Sequence, residues 1–332
     1  MGEVDGLATY EALASSLPTC RGLGRAPYRI YGNFMYPAHL MASTLAMRDA
    51  FVARPTDVVL ATMPKSGTTW LKALVFAVAR RNHHAPDDAR HPLLCFSPHD
   101  LVPFLHTLYE SHRRPDPPSS RLEEEEMPPP RILAVHAPFS LLQASSVAES
   151  RCRIVYLCRD PKDVLVSFWH YIHKAAPPSS GAACSPPFPD AFELFCDGVS
   201  PFGPVWDHMA EYWKESVARP EEVMFLRYEH LKKDTVGSVK QLAEFLGCPF
   251  TVDEVARGVP EAVVALCSMD RMRSVKANRD GEHGVGWTFK NSAFFRKGEV
   301  GDWKELMTPE MARRIDAIVE EKLRGSGLSM IP

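Results

Sequence analysis

Four short runs of the chain are almost continuously apolar and rich in β-branched residues: 57–62 (DVVLAT), 131–136 (RILAVH), 153–158 (RIVYLC) and 222–227 (EVMFLR). Unbroken apolar runs of this length read as strands covered on both faces, the pattern of a parallel sheet. At least three are followed by a polar turn and then by helical spacing, over 68–81 (TTWLKALVFAVARR), 161–174 (PKDVLVSFWHYIHK) and 234–247 (DTVGSVKQLAEFLG). That alternation predicts an α/β fold with a central parallel sheet flanked by helices. A last helix is expected over 308–323, with Thr308 as N-cap, Pro309 in its first turn and an end near Gly325; Met311, Ile315, Ile318, Val319 and Lys322 would form its packing face. Segments 112–131 and 174–190 are crowded with Pro, Ser and charge and read as mobile surface loops. Ligands in open α/β sheets bind beyond the carboxyl ends of strands, so these loops are candidate lids, with functionless insertions as the alternative.

The chain has 332 residues, 45% of them hydrophobic, enough for one large domain. We divide it into an N-terminal segment, 1–50, packed on or leading into a domain over 51–332. The net charge is −3, which removes any global electrostatic case for nucleic acid or an acidic membrane. Anion binding, if present, is local. No basic segment followed by an apolar one opens the sequence, and the run ALVFAVA is too short to cross a bilayer. A soluble cytoplasmic protein is therefore expected. The eight cysteines lack metal-type spacing and read as free thiols of a reducing compartment.

The chemistry begins at 63–70, MPKSGTTW, which leaves the first strand and opens a helix. Backbone amides of Ser66, Gly67, Thr68 and Thr69, two threonine hydroxyls and the helix dipole all favour an anion there. The loop is P-loop-like, but Lys65 stands before the glycine, where a nucleoside triphosphatase places its lysine after it. No strand ends in an Asp suited to a metal–triphosphate site, so a smaller 5′-phosphate fits better, with a structural turn as the alternative. Arg159 ends the third strand, and Ser167 lies on the helix that follows it. Arg296, Lys297 and Gly298 place two cations beside a glycine that permits close approach. Three anion-competent elements imply a ligand with more than one phosphate group. His136, after the second strand, taken alone reads as a structural residue before it reads as a base.

MPKSGTTW, RDPKDVLVSFWHY and FFRKGEVGDW, in this order with a strand-borne histidine between the first two, resemble the signature regions of the cytosolic sulfotransferases, particularly the plant members. The likeness runs from about residue 50 to the C-terminus. It implies the donor 3′-phosphoadenosine 5′-phosphosulfate (PAPS), no metal, and transfer of a sulfo group to a small hydroxylated acceptor. By resemblance, Lys65, Ser66, Gly67, Thr68 and Thr69 hold the 5′-phosphosulfate. Arg159, Ser167, Arg296, Lys297 and Gly298 hold the 3′-phosphate. Trp70, Tyr228 and Met269 surround adenine, Met269 standing where the family commonly has an aromatic residue. His136 becomes the general base, with Val135 in place of the usual threonine and Ala134 where animal members often carry lysine. Ser167 would draw Lys65 aside until the acceptor arrives. An apolar, partly aromatic acceptor is expected against Phe104, Tyr109, Phe139, His170 and the two Pro-rich loops. The animal dimer motif is degraded at Lys304–Arg313, which predicts a monomer. A nucleotide kinase or triphosphatase and a catalytically silent donor-binding protein are the rival readings.

Overall fold

The computed structural model describes residues 3–24, 26–110, 127–143, 145–175, 186–283 and 289–330. The interiors of both Pro-rich segments, and with them their expected mobility, lie outside the described residues.

The first forty residues form more regular structure than their pattern announces. Helix α1 (Glu3–Ser16) leads into a three-stranded antiparallel sheet of β1 (Thr19–Cys20), β2 (Tyr28–Tyr31) and β3 (Phe34–Pro37), followed by α2 (Met41–Ala50). This segment is part of the main core: Leu23, Tyr36, Met41 and Leu45 pack in one apolar cluster with Tyr156 and Phe202. Met35 exchanges backbone hydrogen bonds with the 202–203 turn, its amide reaching the Gly203 carbonyl at 2.9 Å. No continuous apolar run marks these strands; their signal is the Gly32-Asn33 pair between YRIY and FMYP, a two-residue turn that joins β2 to β3.

The four apolar runs form the four-stranded sheet: β4 (Val58–Thr62), β5 (Ile132–Val135), β6 (Arg153–Cys158) and β7 (Val223–Arg227), in spatial order β5-β4-β6-β7 and all parallel. Strands β4 and β5 are buried throughout, as expected for strands covered on both faces. The helices that follow β4 and β6 are α3 (Thr68–Arg80) and α4 (Pro161–Ala175). The chain leaves β4 for β5 on one side and returns to β6 on the other, so the crevice above β4 is a topological switch point. Register then aligns the four exits. Ala61 pairs with Val135, Thr62 with Leu157 and Cys158 with Arg227, so His136, the 63–67 loop, Arg159 and Tyr228 each stand one step past a strand end. At a strand spacing of about 4.8 Å that row is roughly 14 Å long.

The C-terminal helix α5 (Pro309–Lys322) starts as expected, the Thr308 side chain accepting from the Met311 amide. Ile315 and Val319 are buried, and Met311 and Ile318 pack at the core's edge. Lys322 is exposed and Leu323 takes the buried position, because a long charged side chain at the helix end turns to solvent.

Candidate active site

The loop from β4 to α3 is shaped by backbone before side chains. Lys65 adopts φ +71° and Gly67 φ +104°, both in the left-handed region. A Cβ on Gly67 would stand 2.9 Å from the Tyr228 ring and 3.2 Å from Leu157, so only glycine fits. No side chain caps α3, which leaves its positive N-terminal end facing the cavity. The Thr68 hydroxyl lies 2.7 Å from that of Thr62, tying the helix start to the strand end. Lys65 Nζ sits 4.2 Å from the centroid of Tyr171. Burial, then the Arg159, Arg296 and Lys174 charges, push its pKa down to about 7.

Arg159 gathers the second and third motifs around this loop. Its guanidinium donates to the Glu299 carbonyl at 2.6 Å and to the Lys65 carbonyl at 3.5 Å, and lies 4.6 Å from the centroid of Tyr228. Asp163, fully buried, accepts from the Gly301 and Trp303 amides at 2.9 and 3.0 Å and pairs with Arg159 at 3.3 Å. This carboxylate, one helical turn after Arg159, joins two motifs far apart in the chain; the sequence shows it only as the last Asp of RDPKD. Tyr228 donates to the Gly298 carbonyl at 2.9 Å and meets Trp70 edge to face at 5.5 Å. Met269 packs on Gly298, where a Cβ would lie 2.5 Å from its Cε. The Nε atoms of Arg159 and Arg296 are buried with no partner among the described residues. Donors left in that condition are costly unless an anion completes them.

Lys65, Gly67, Thr68, Thr69, Trp70, His136, Arg159, Ser167, Tyr228, Met269, Arg296 and Gly298 all line one cavity. Ser66 and Lys297 do not. Ser66 is buried in the loop, its amide on the Met63 carbonyl, and the Lys297 ammonium is paired with Asp302 and Glu305.

His136 Nδ1 lies 2.7 Å from the Thr62 carbonyl, which only a protonated nitrogen can approach as a donor. Its lone pair is therefore on Nε2. Burial holds its pKa down to about 3, so the ring is neutral near pH 7. Behind it, fully buried His208 donates from Nε2 to the His136 carbonyl at 3.1 Å and accepts from the Tyr156 hydroxyl at Nδ1, 2.9 Å away.

The other half of the cavity brings in His39, Leu40, His99, His106, Glu110, Met272 and His283, which carry no sequence signal, with Phe168 and Phe294 from the second and third motifs. Burial lowers the pKa of His99 well below its ordinary value, that of His106 to about 3 and that of His283 to about 4. Of the four side chains expected to contact the acceptor, Phe104 lines the cavity and Tyr109, Phe139 and His170 do not; the interiors of the two Pro-rich loops lie outside the described residues. Phe139 is buried against Tyr212, Tyr109 packs at the core's edge, and His170 faces Trp169. On α4 the cavity face is Ser167, Phe168 and Tyr171; His170 precedes Tyr171 by one residue and is turned about 100° away.

A strand–loop–helix cradle beside a histidine, at the carboxyl ends of a parallel sheet, defines an α/β protein built to hold an anionic ligand. The sulfotransferase domain model matches residues 55–327, and the chain belongs to that family. It is 40% identical over 319 residues to Cytosolic sulfotransferase 5 of Arabidopsis thaliana, covering 96% of this chain and 95% of that protein. The crystal structure of another Arabidopsis sulphotransferase superposes with a TM-score of 0.75 at 34% identity, covering 100% and 98% of the two chains. A mouse sulfotransferase crystallised with PAP, the desulfated donor, gives 0.67 at 27% identity, covering 90% and 95%. No helix among the described residues is long and apolar enough to cross a membrane.

Proposed function

We propose that this sulfotransferase moves the sulfo group of PAPS to the hydroxyl of a small, uncharged, apolar or aromatic acceptor by in-line transfer. The observation that carries the reading is the fixed tautomer of His136 in the cavity that also holds Lys65, Arg159 and Arg296. His136 Nε2 takes the acceptor proton as the acceptor oxygen bonds to sulfur. The bond from sulfur to the 5′-phosphate oxygen breaks, and the charge left on that oxygen develops beside Lys65 and the N-terminus of α3. Arg159, Arg296, Ser167 and Gly298 hold the 3′-phosphate, and the buried orphan donors of both arginines fit such a group. Trp70, Tyr228 and Met269 flank adenine. Lys297, whose ammonium pairs with Asp302 as the Arg296 guanidinium does, is the third cation of the 3′-phosphate group of residues. Ser167 stands one turn from Tyr171, over which Lys65 lies, within the region where it could hold Lys65 aside before the acceptor arrives. These cations supply the positive charge, so the reading requires no metal.

The acceptor class follows from charge and shape. Phe104, Phe168, Met272 and Leu40 make the acceptor half apolar, and its histidines are neutral near pH 7, so nothing among them attracts an acidic substrate. A monomer, on the degraded dimer motif at Lys304–Arg313, and a cytoplasmic location, supported by relatives named cytosolic, are part of this reading. The test is incubation with PAPS and a panel of neutral phenols and alcohols without added metal, followed by mass spectrometry. A sulfated product is expected, lost by about 10²–10⁴-fold in His136→Ala while PAP still binds. Failure of wild-type protein to bind PAP or to sulfate any acceptor, with magnesium-dependent hydrolysis of a nucleoside triphosphate instead, would overturn it.

A further inference from the structure

Beside the cradle runs a polar chain whose inner members, Lys72 and His99, have no role in the reaction above. Lys72, on α3 and fully buried, places Nζ 3.1 Å from His99 Nδ1. The other ring nitrogen of His99, Nε2, lies 2.9 Å from Thr69 Oγ1, in the anion cradle. His99 is 3% exposed and is clamped by Phe294, His283 and Phe104 at centroid distances of 4.4, 5.0 and 5.8 Å. A buried amine is costly, and an apolar side chain of similar length would fill the same space.

The direction of the hydrogen bonds follows from what each group can donate. Lys72 Nζ sits 3.6 Å from the centroid of Phe104, a face that receives the positive end of an N–H or ammonium. With one N–H on that face the amine has another to donate to His99 Nδ1, and a neutral imidazole that accepts at Nδ1 carries its proton on Nε2. Nε2–H then donates to Thr69 Oγ1, which leaves the hydrogen of Thr69 itself free to point into the cradle. The reverse polarity would turn that hydrogen onto His99 and present oxygen lone pairs to an anion.

We propose that Lys72 and His99 are positioning residues that order the Thr69 hydroxyl as a hydrogen-bond donor to the anion in the cradle. This rests on the reading that the loop holds the donor's phosphosulfate. Calorimetric titration of wild-type protein with PAP tests that reading first, and no binding would remove both. Given binding, His99→Leu is expected to weaken PAP affinity and kcat/KM for PAPS by about ten- to a hundredfold, the size of one hydrogen bond to a charged group. His99→Gln should recover most of the loss, because its amide can accept from Lys72 and donate to Thr69. In a Thr69→Val background His99→Leu should cost nothing further. Lys72→Met, which keeps the volume, should repeat the pattern and stands in if His99→Leu fails to fold. Equal losses in the Leu and Gln variants, or losses that multiply with Thr69→Val, would show a packing role and overturn the relay.

Discussion

At the residue scale the most informative group is Lys65. Its positive φ holds the side chain over Tyr171, and burial beside Arg159, Arg296 and Lys174 brings its pKa to about 7. A lysine so depressed loses its charge as pH rises through that value, and an approaching anion raises the pKa again. PAP binding should therefore take up a proton above neutrality and weaken toward pH 9 or so. Calorimetry in buffers of different ionisation enthalpy reads that uptake directly, and Lys65→Met should abolish it. His136 adds no acid limb near its ordinary value, because burial keeps the free ring unprotonated down to a pKa of about 3. An affinity that is flat from neutral to alkaline pH would contradict the assignment of Lys65 to the anion.

At the scale of the element, the turn from β4 to α3 depends on Gly67. Its φ of +104° would strain an alanine by about 1–2 kcal/mol, and the added Cβ would press on the Tyr228 ring at 2.9 Å. Tyr228 in turn holds the Gly298 carbonyl, so the displacement passes to the third motif. Gly67→Ala should lower the melting temperature modestly and weaken PAP binding by tenfold or more, as seen by thermal unfolding and titration. A fall in stability with full PAP affinity would mean that the loop tolerates the shift.

For the whole molecule, the sheet separates the tasks of its two ends. At the amino end, away from the cavity, Arg131 and Asp57 form a buried pair, with Arg131 Nε on Asp57 Oδ1 at 2.8 Å and another guanidinium nitrogen on the Val52 carbonyl at 3.0 Å. Arg131→Met would leave a buried carboxylate without its cation, at a cost of about 3–5 kcal/mol. Urea unfolding should show that loss, while the folded protein keeps its PAP affinity. Loss of affinity at full stability would place Arg131 in the site instead.

The apolar runs, helical spacings and glycine-bearing loop by themselves determined the four central strands, the helices after β4 and β6, and the turn that forms the cradle. These features depend on local periodicity and on backbone conformations that few residue types adopt. Lys65 and Arg159 were legible because each sits within a few residues of a strand end, whereas His136 in the same position read as structural until the three motifs were taken together. The N-terminal sheet stands outside any continuous apolar run and is signalled only by the Gly32-Asn33 turn between β2 and β3. Tertiary structure alone decided that Asp163 joins the second and third motifs, that Lys297 turns to Asp302, and that His170 gives place to Tyr171. It also decided the acceptor half of the cavity, where His39, His99, His106 and His283 converge from separate segments. The physical reason is that a cradle made from one turn is encoded where it stands. A pocket wall is made of side chains that only packing brings together.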